Sequence, residues 1–112
     1  MTPSISLEEY LRRCEELGYN PKLPPYFERI VDRNLYSPSI IAAITNISKE
    51  TARRWFRQNK LTTESASNTY VVSGKKLKEF LFTRPNVINP LKREYPEIFD
   101  DDLFCRRKEN RM

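Results

Sequence analysis

The sequence predicts a mainly α fold with one small two-stranded β-hairpin. Three observations carry this. Apolar residues recur at helical spacing in five stretches of the chain. A serine stands in front of four of them, at Ser6, Ser37, Ser48 and Ser73, where its hydroxyl can hold a free amide of the first turn. Two short candidate strands, 61–64 and 69–72, flank the polar loop Ser65–Asn68.

The first helix is expected to start after Ser6. Ser6-Leu7-Glu8-Glu9 reads as a capping box. Leu7, Tyr10, Leu11, Cys14 and Leu17 form its apolar stripe, and Gly18 suits a left-handed residue beyond its end. The outer face mixes Glu8, Glu9, Arg12, Arg13, Glu15 and Glu16, the pattern of a solvated surface with paired charges. Pro21, Pro24 and Pro25 make a turn. Pro25 then opens a second expected helix running to about Asn34, with Tyr26, Phe27, Ile30 and Val31 inward. Ser37-Pro38 opens a third, through Ile44, apolar enough to predict full burial. Asn46 and Ile47 form a short turn, and Ser48 caps a helix to about Gln58, followed by Asn59 in the left-handed position. Beyond the hairpin, Ser73 caps a helix with Leu77, Phe80 and Leu81 inward. Pro85, Pro90 and Pro96 are expected to break up the remainder of the chain. Asp100–Asp102 and Arg106-Arg107-Lys108 suit the start and end of a terminal helix.

Composition excludes several function classes. The 112 residues include no histidine, which removes Ser-His-Asp and Cys-His catalysis and the commonest zinc ligand. Gly18 and Gly74 are the only glycines, so no Gly-rich phosphate loop is available. Cys14 and Cys105 stand apart, outside any C-x-x-C pair, and read as a helix-core residue and a tail residue. The expectation is a protein that is not an enzyme, with no metal, cofactor or small-molecule substrate. No apolar run is long enough for a transmembrane helix or secretory signal, which predicts a cytoplasmic location without a membrane partner.

The net charge of +5 is localised. Residues 48–79 hold eight Lys/Arg against three acids, whereas 1–47 hold five against six and 80–112 seven against six. A localised basic field is the footprint of a polyanion partner. On a helical wheel, Lys49, Arg53, Arg57, Glu50 and Arg54 span an arc of about 140°, and Thr51, Trp55, Ala52 and Phe56 fill the opposite side. Like charges gathered on one helix face repel one another until an anion relieves them.

Around this helix stand YSPSIIAAIT (Tyr36–Thr45), NISKETARRWFRQNKL (Asn46–Leu61) and TYVVSGKKLKEFL (Thr69–Leu81). Together, Tyr36–Leu81 resembles the winged helix-turn-helix of the excisionase and MerR-type DNA-binding families. Ala42 falls at the small position between the two helices. Ile47, Ser48, Thr51, Arg53, Trp55, Leu61, Tyr70, Val72, Ser73, Leu77, Phe80 and Leu81 match that pattern best. The chain departs from it at Ile40, where family members often carry an acid, at Asn59 in place of glycine, and in a wing loop without Lys or Arg.

The resemblance implies sequence-specific binding of double-stranded DNA, in transcriptional regulation or as an excisionase-like or partition-like architectural factor of a phage or mobile element. Lys49, Arg53, Arg54 and Arg57 are expected at the major groove and Ser48, Lys75 and Lys76 at phosphates, the start of the helix that Ser73 caps being a favourable anion site. Glu50, Lys60, Ser67 and Asn68 complete the expected contact set. The expected division is an N-terminal helical extension (1–35), the winged domain (36–82) and a C-terminal tail (83–112). Self-association into dimers or cooperative arrays is expected, because one recognition helix reads few base pairs. The alternative is a protein-interaction module that docks an acidic protein on the same basic face.

Overall fold

In the computed structural model, which describes residues 5–63 and 69–109, all four serine hydroxyls hold the amide three residues on. Ser6 Oγ accepts from Glu9, Ser37 from Ile40, Ser48 from Thr51 and Ser73 from Lys76, at 3.1–3.4 Å. Each such cap is worth roughly 1 kcal/mol. The described chain is mainly helical, with one two-stranded antiparallel sheet. It divides into two compact units, Pro25–Leu81 and the pair Met1–Pro24 with Phe82–Met112.

The unit Pro25–Leu81 begins with a 3-10 helix, Pro25–Arg29, followed by β1 (Leu35–Tyr36), α2 (Pro38–Thr45), α3 (Lys49–Arg57) and β2 (Val72–Ser73). Helix α4 (Gly74–Phe82) closes it, and the division between the units falls at its last residue. Its core comprises Phe27, Ile30, Tyr36, Ile41, Ala52, Trp55, Phe56, Leu61, Val72, Leu77 and Leu81.

Three expectations for this unit are corrected. The helix foreseen to about Asn34 stops at Arg29, because the backbone beyond it is committed elsewhere. The Val31 amide donates to Tyr36 Oη at 2.7 Å, and the Asp32 and Asn34 carbonyls accept from the Lys75 and Gly74 amides. Among the described residues, the sheet does not join the two expected strands, 61–64 and 69–72. Leu35 pairs instead with Ser73, and Tyr36 with Val72. Of the expected first strand, 61–63 are described and are not extended into a ladder. Thr63 Oγ1 instead donates to the Thr69 carbonyl and accepts from the Val71 amide, a side-chain tie where strand hydrogen bonds were expected. Helix α2 is not buried all round. Pro38 and Ile41 are buried, but Ile40 is 45% exposed.

The sequence boundary at 35/36 also differs from the division in space, which places 25–35 with the helices after them. Phe27 and Ile30 are buried there, and the 31–34 backbone is hydrogen-bonded to α4.

The second unit contains α1 (Leu7–Leu17), α5 (Pro85–Glu94), α6 (Pro96–Phe99) and α7 (Asp101–Glu109). Gly18 adopts the left-handed conformation at φ 74°, and the Tyr19 amide reaches back to the Cys14 carbonyl at 2.8 Å. Leu7, Tyr10, Cys14 and Leu17 are buried, whereas Leu11 of the expected stripe is exposed. The Glu9 carboxylate does not complete the capping box but pairs with Arg12. The prolines expected to break the chain behave differently. Pro85 and Pro96 occupy first-turn positions, where a missing N–H costs nothing, and Pro90 lies inside α5. Cys14 is a buried free thiol and Cys105 an exposed one. Burial pushes the Tyr10 hydroxyl well above its ordinary range, against the opposing hydrogen bond from the Lys22 amide, and also raises the Cys14 thiol.

Candidate nucleic-acid interface

Helix α3 is held at both ends and along one side. Asn46, at φ 59°, ends α2, and the Ile47 amide bonds back to Ala42 at 3.2 Å. Two residues later Ser48 opens α3, where its Oγ accepts from the Thr51 amide and lies 2.7 Å from Thr51 Oγ1. At the other end, Asn59 takes φ 59°. Its amide donates to Phe56, and the Lys60 amide to Trp55, at 3.1 and 2.9 Å. This is the paired bonding that closes a helix at a left-handed residue.

The inner side of α3 carries Ala52, Trp55 and Phe56, all buried. The Trp55 ring meets Phe80 edge-on with centroids 4.9 Å apart, and Phe56 stacks on Tyr70 at 5.0 Å. Removing a ring such as Trp55 would cost about 3–5 kcal/mol, enough to fix which side of the helix faces inward. The aromatic residues of α3 are therefore packed and do not form an exposed stacking platform.

The outer side carries the charges. Lys49, Arg53, Arg54 and Lys60 are exposed and make no ion pair with any other described residue. Arg57 differs, because its Nη2 is paired with Glu50 Oε1, two helical turns back on the same face. Three of the four cations on the helical wheel thus stand open to solvent, together with Lys60, and one is held by the single acid.

Lys75 and Lys76 are exposed at the start of α4, as expected, but the first amides of that helix are not open to an anion. The Gly74 amide donates to the Asn34 carbonyl at 2.9 Å, Lys75 to Asp32 at 3.3 Å and Lys76 to Ser73 Oγ at 3.4 Å. The anion site expected from the backbone there is corrected accordingly. Lys78 bonds to Asp32 at 2.5 Å. Ser67 and Asn68 lie outside the described residues.

Sequence patterning assigns no role to Gly74 or Thr63. A Cβ at Gly74 would stand 1.9 Å from the Val31 carbonyl oxygen, so only glycine admits this approach. The rarity of glycine in the sequence is a usable signal, whereas nothing distinguishes Thr63 from its neighbours. Among the described residues, no group of three or more His, Cys, Asp or Glu is arranged to hold a metal ion, and no helix is long and apolar enough to cross a membrane.

No family model, curated protein or solved structure matches the chain.

Proposed function

We propose that this chain binds double-stranded DNA sequence-specifically, with the outer face of α3 in the major groove. The observation that carries the reading is the separation within α3. Trp55, Phe56 and Ala52 are buried on one side, and Lys49, Arg53 and Arg54 stand exposed on the other, with no ion-pair partner among the described residues. A major groove admits one α-helix, and an arginine can meet guanine O6 and N7 with two parallel hydrogen bonds. Phosphates would also relieve the repulsion among these cations and release counterions. Lys60, Lys75 and Lys76 would add phosphate contacts, and the resemblance to excisionase and MerR-type domains supports the same assignment. A regulatory or architectural role on DNA, self-association on the target and the winged character of the domain belong to this proposal.

The test is selection from random duplexes followed by a salt series, with the Arg53→Ala/Arg54→Ala variant alongside. Each arginine reading a base contributes about 1–3 kcal/mol, so the double variant should lose roughly 30-fold or more in affinity for the selected site. Its melting temperature should stay unchanged. Equal binding by the variant, or no enriched sequence, overturns the assignment. Weak, non-selective binding shared by the folded variant would favour an acidic protein as the partner of this face.

A further inference from the structure

The basic face carries one acid, and its pairing is unusual. On a helix, the ordinary partners of Glu50 are the residues three and four positions on, here Arg53 and Arg54. Glu50 pairs with neither. It holds Arg57, seven positions on and only about 20° away around the helix axis. Both side chains are more than half exposed, at 53% for Arg57 and 56% for Glu50. An exposed ion pair of this kind adds little to stability. The carboxylate also repels phosphate, which makes it a poor choice for a surface that only needs to hold the DNA backbone.

We infer that Glu50 is a positioning and selectivity residue for Arg57, reserving that guanidinium for a guanine edge and denying it to a lone phosphate. This rests on the proposed DNA reading and deepens it. The contact to Glu50 uses Arg57 Nη2. A guanidinium has five N–H donors in a fixed fork, so the one on Nε, one on Nη2 and both on Nη1 are left. Nη1 and Nη2 can meet guanine O6 and N7 while the carboxylate keeps its hold. A phosphate gives Arg57 an anion it already has, and the exchange gains little. Arg53 and Arg54, which pair with no acid among the described residues, attract the duplex in addition to reading their own bases.

The experiment uses the full chain, a duplex carrying the selected sequence and a random-sequence duplex of equal length. Glu50→Gln keeps the shape and removes the charge. It should tighten random-duplex binding and steepen the salt slope by about 0.9, one further phosphate contact. The preference for the selected duplex should fall about tenfold, the discrimination that a single base-reading arginine supplies. In an Arg57→Ala background the same change should alter the preference less than about twofold, because the two residues act as one unit.

An unchanged preference and slope overturn the inference. So does an effect of equal size in the Arg57→Ala background, which would make Glu50 a general repulsive charge. A lowered melting temperature with unchanged preference would assign Glu50 to the start of α3 alone, where an acid favours the helix dipole. If the wild-type chain enriches no duplex sequence, the DNA reading falls and this inference with it. If the wild type enriches one and Glu50→Gln has no effect, only the inference falls.

Discussion

The arginines of α1 and those of α3 stand in different surroundings. In the unit containing α1 and α5–α7, Arg12, Arg13, Arg107 and Lys108 are committed to the fold, whereas Lys92, Arg93 and Arg106 are exposed and make no ion pair with another described residue. Arg12 pairs with Glu9 and Glu16. Arg13 donates to the Ile98 carbonyl at 2.8 Å and to Asp101 at 2.6 Å, and lies over the Phe104 ring at 4.7 Å. Arg107 reaches Tyr19 Oη, and Lys108 reaches Glu16. In Pro25–Leu81, by contrast, Lys49, Arg53, Arg54 and Lys60 have no ion-pair partner among the described residues. Both units are rich in lysine and arginine. What separates α1 from the outer face of α3 is how many of the cations already have an anion or carbonyl beside them, and that decides how much charge each helix still has to offer a partner.

Four changes sharpen or break this contrast, taken from the largest effect to the smallest. Gly74→Ala puts a methyl group against the Val31 carbonyl and should destabilise Pro25–Leu81 by about 3 kcal/mol, the upper end for overpacking. Chemical denaturation followed by Trp55 fluorescence measures it. Arg13→Ala removes a side chain that is 12% exposed and meets four groups, the Ile98 carbonyl, Asp101, Glu9 and the Phe104 ring, so it should cost about 2 kcal/mol, between buried and exposed pairs. Native amide exchange in α1 and α7 would report the loss. A result near zero would mean that the commitment of arginine in this unit is only apparent.

The third change is alkaline pH. Tyr10 and Cys14 hold their protons more tightly when folded, so the unfolded chain releases them first as pH rises. Stability should therefore be constant below the ordinary thiol value near 9 and decline above it, further past the ordinary tyrosine value near 10. Denaturation midpoints at about pH 8 and about pH 11 test the direction. The smallest effect is expected for Arg53→Ala, whose stability should match wild type within about 0.5 kcal/mol. A loss as large as that of Arg13→Ala would erase the distinction between the two helices.

What the sequence discloses depends on the range of the forces involved. The serine caps, the left-handed Gly18 and Asn59, and the two-sided character of α3 are local, set within one or two helical turns, and all are present. The pairing of Leu35–Tyr36 with Val72–Ser73 joins segments far apart in sequence through two-residue strands, too short to show any alternation. The shortened helix at Pro25–Arg29 has the same origin, since hydrogen bonds from α4 draw residues 31–34 out of helical geometry. The prolines of α5 and α6 are ambiguous in sequence because proline both ends and begins helices, and only its position in the first turn separates the two. At the candidate interface, the residue types are legible from the wheel. The choice of Arg57 over Arg53 and Arg54 by Glu50 is not, because all three lie within reach of one acid.

The bonds that draw residues 31–34 to the start of α4 also divide the unit by its tolerance of sequence change. They run from the Gly74 and Lys75 amides to the Asn34 and Asp32 carbonyls. Carbonyls are common to every residue, so positions 32 and 34 can drift without loosening this clasp, and only Gly74 is fixed by its lack of a side chain. The clasp closes the excursion that runs through α2 and α3. New groove-facing residues on α3 can thus be tried one at a time while the frame that presents them stays the same.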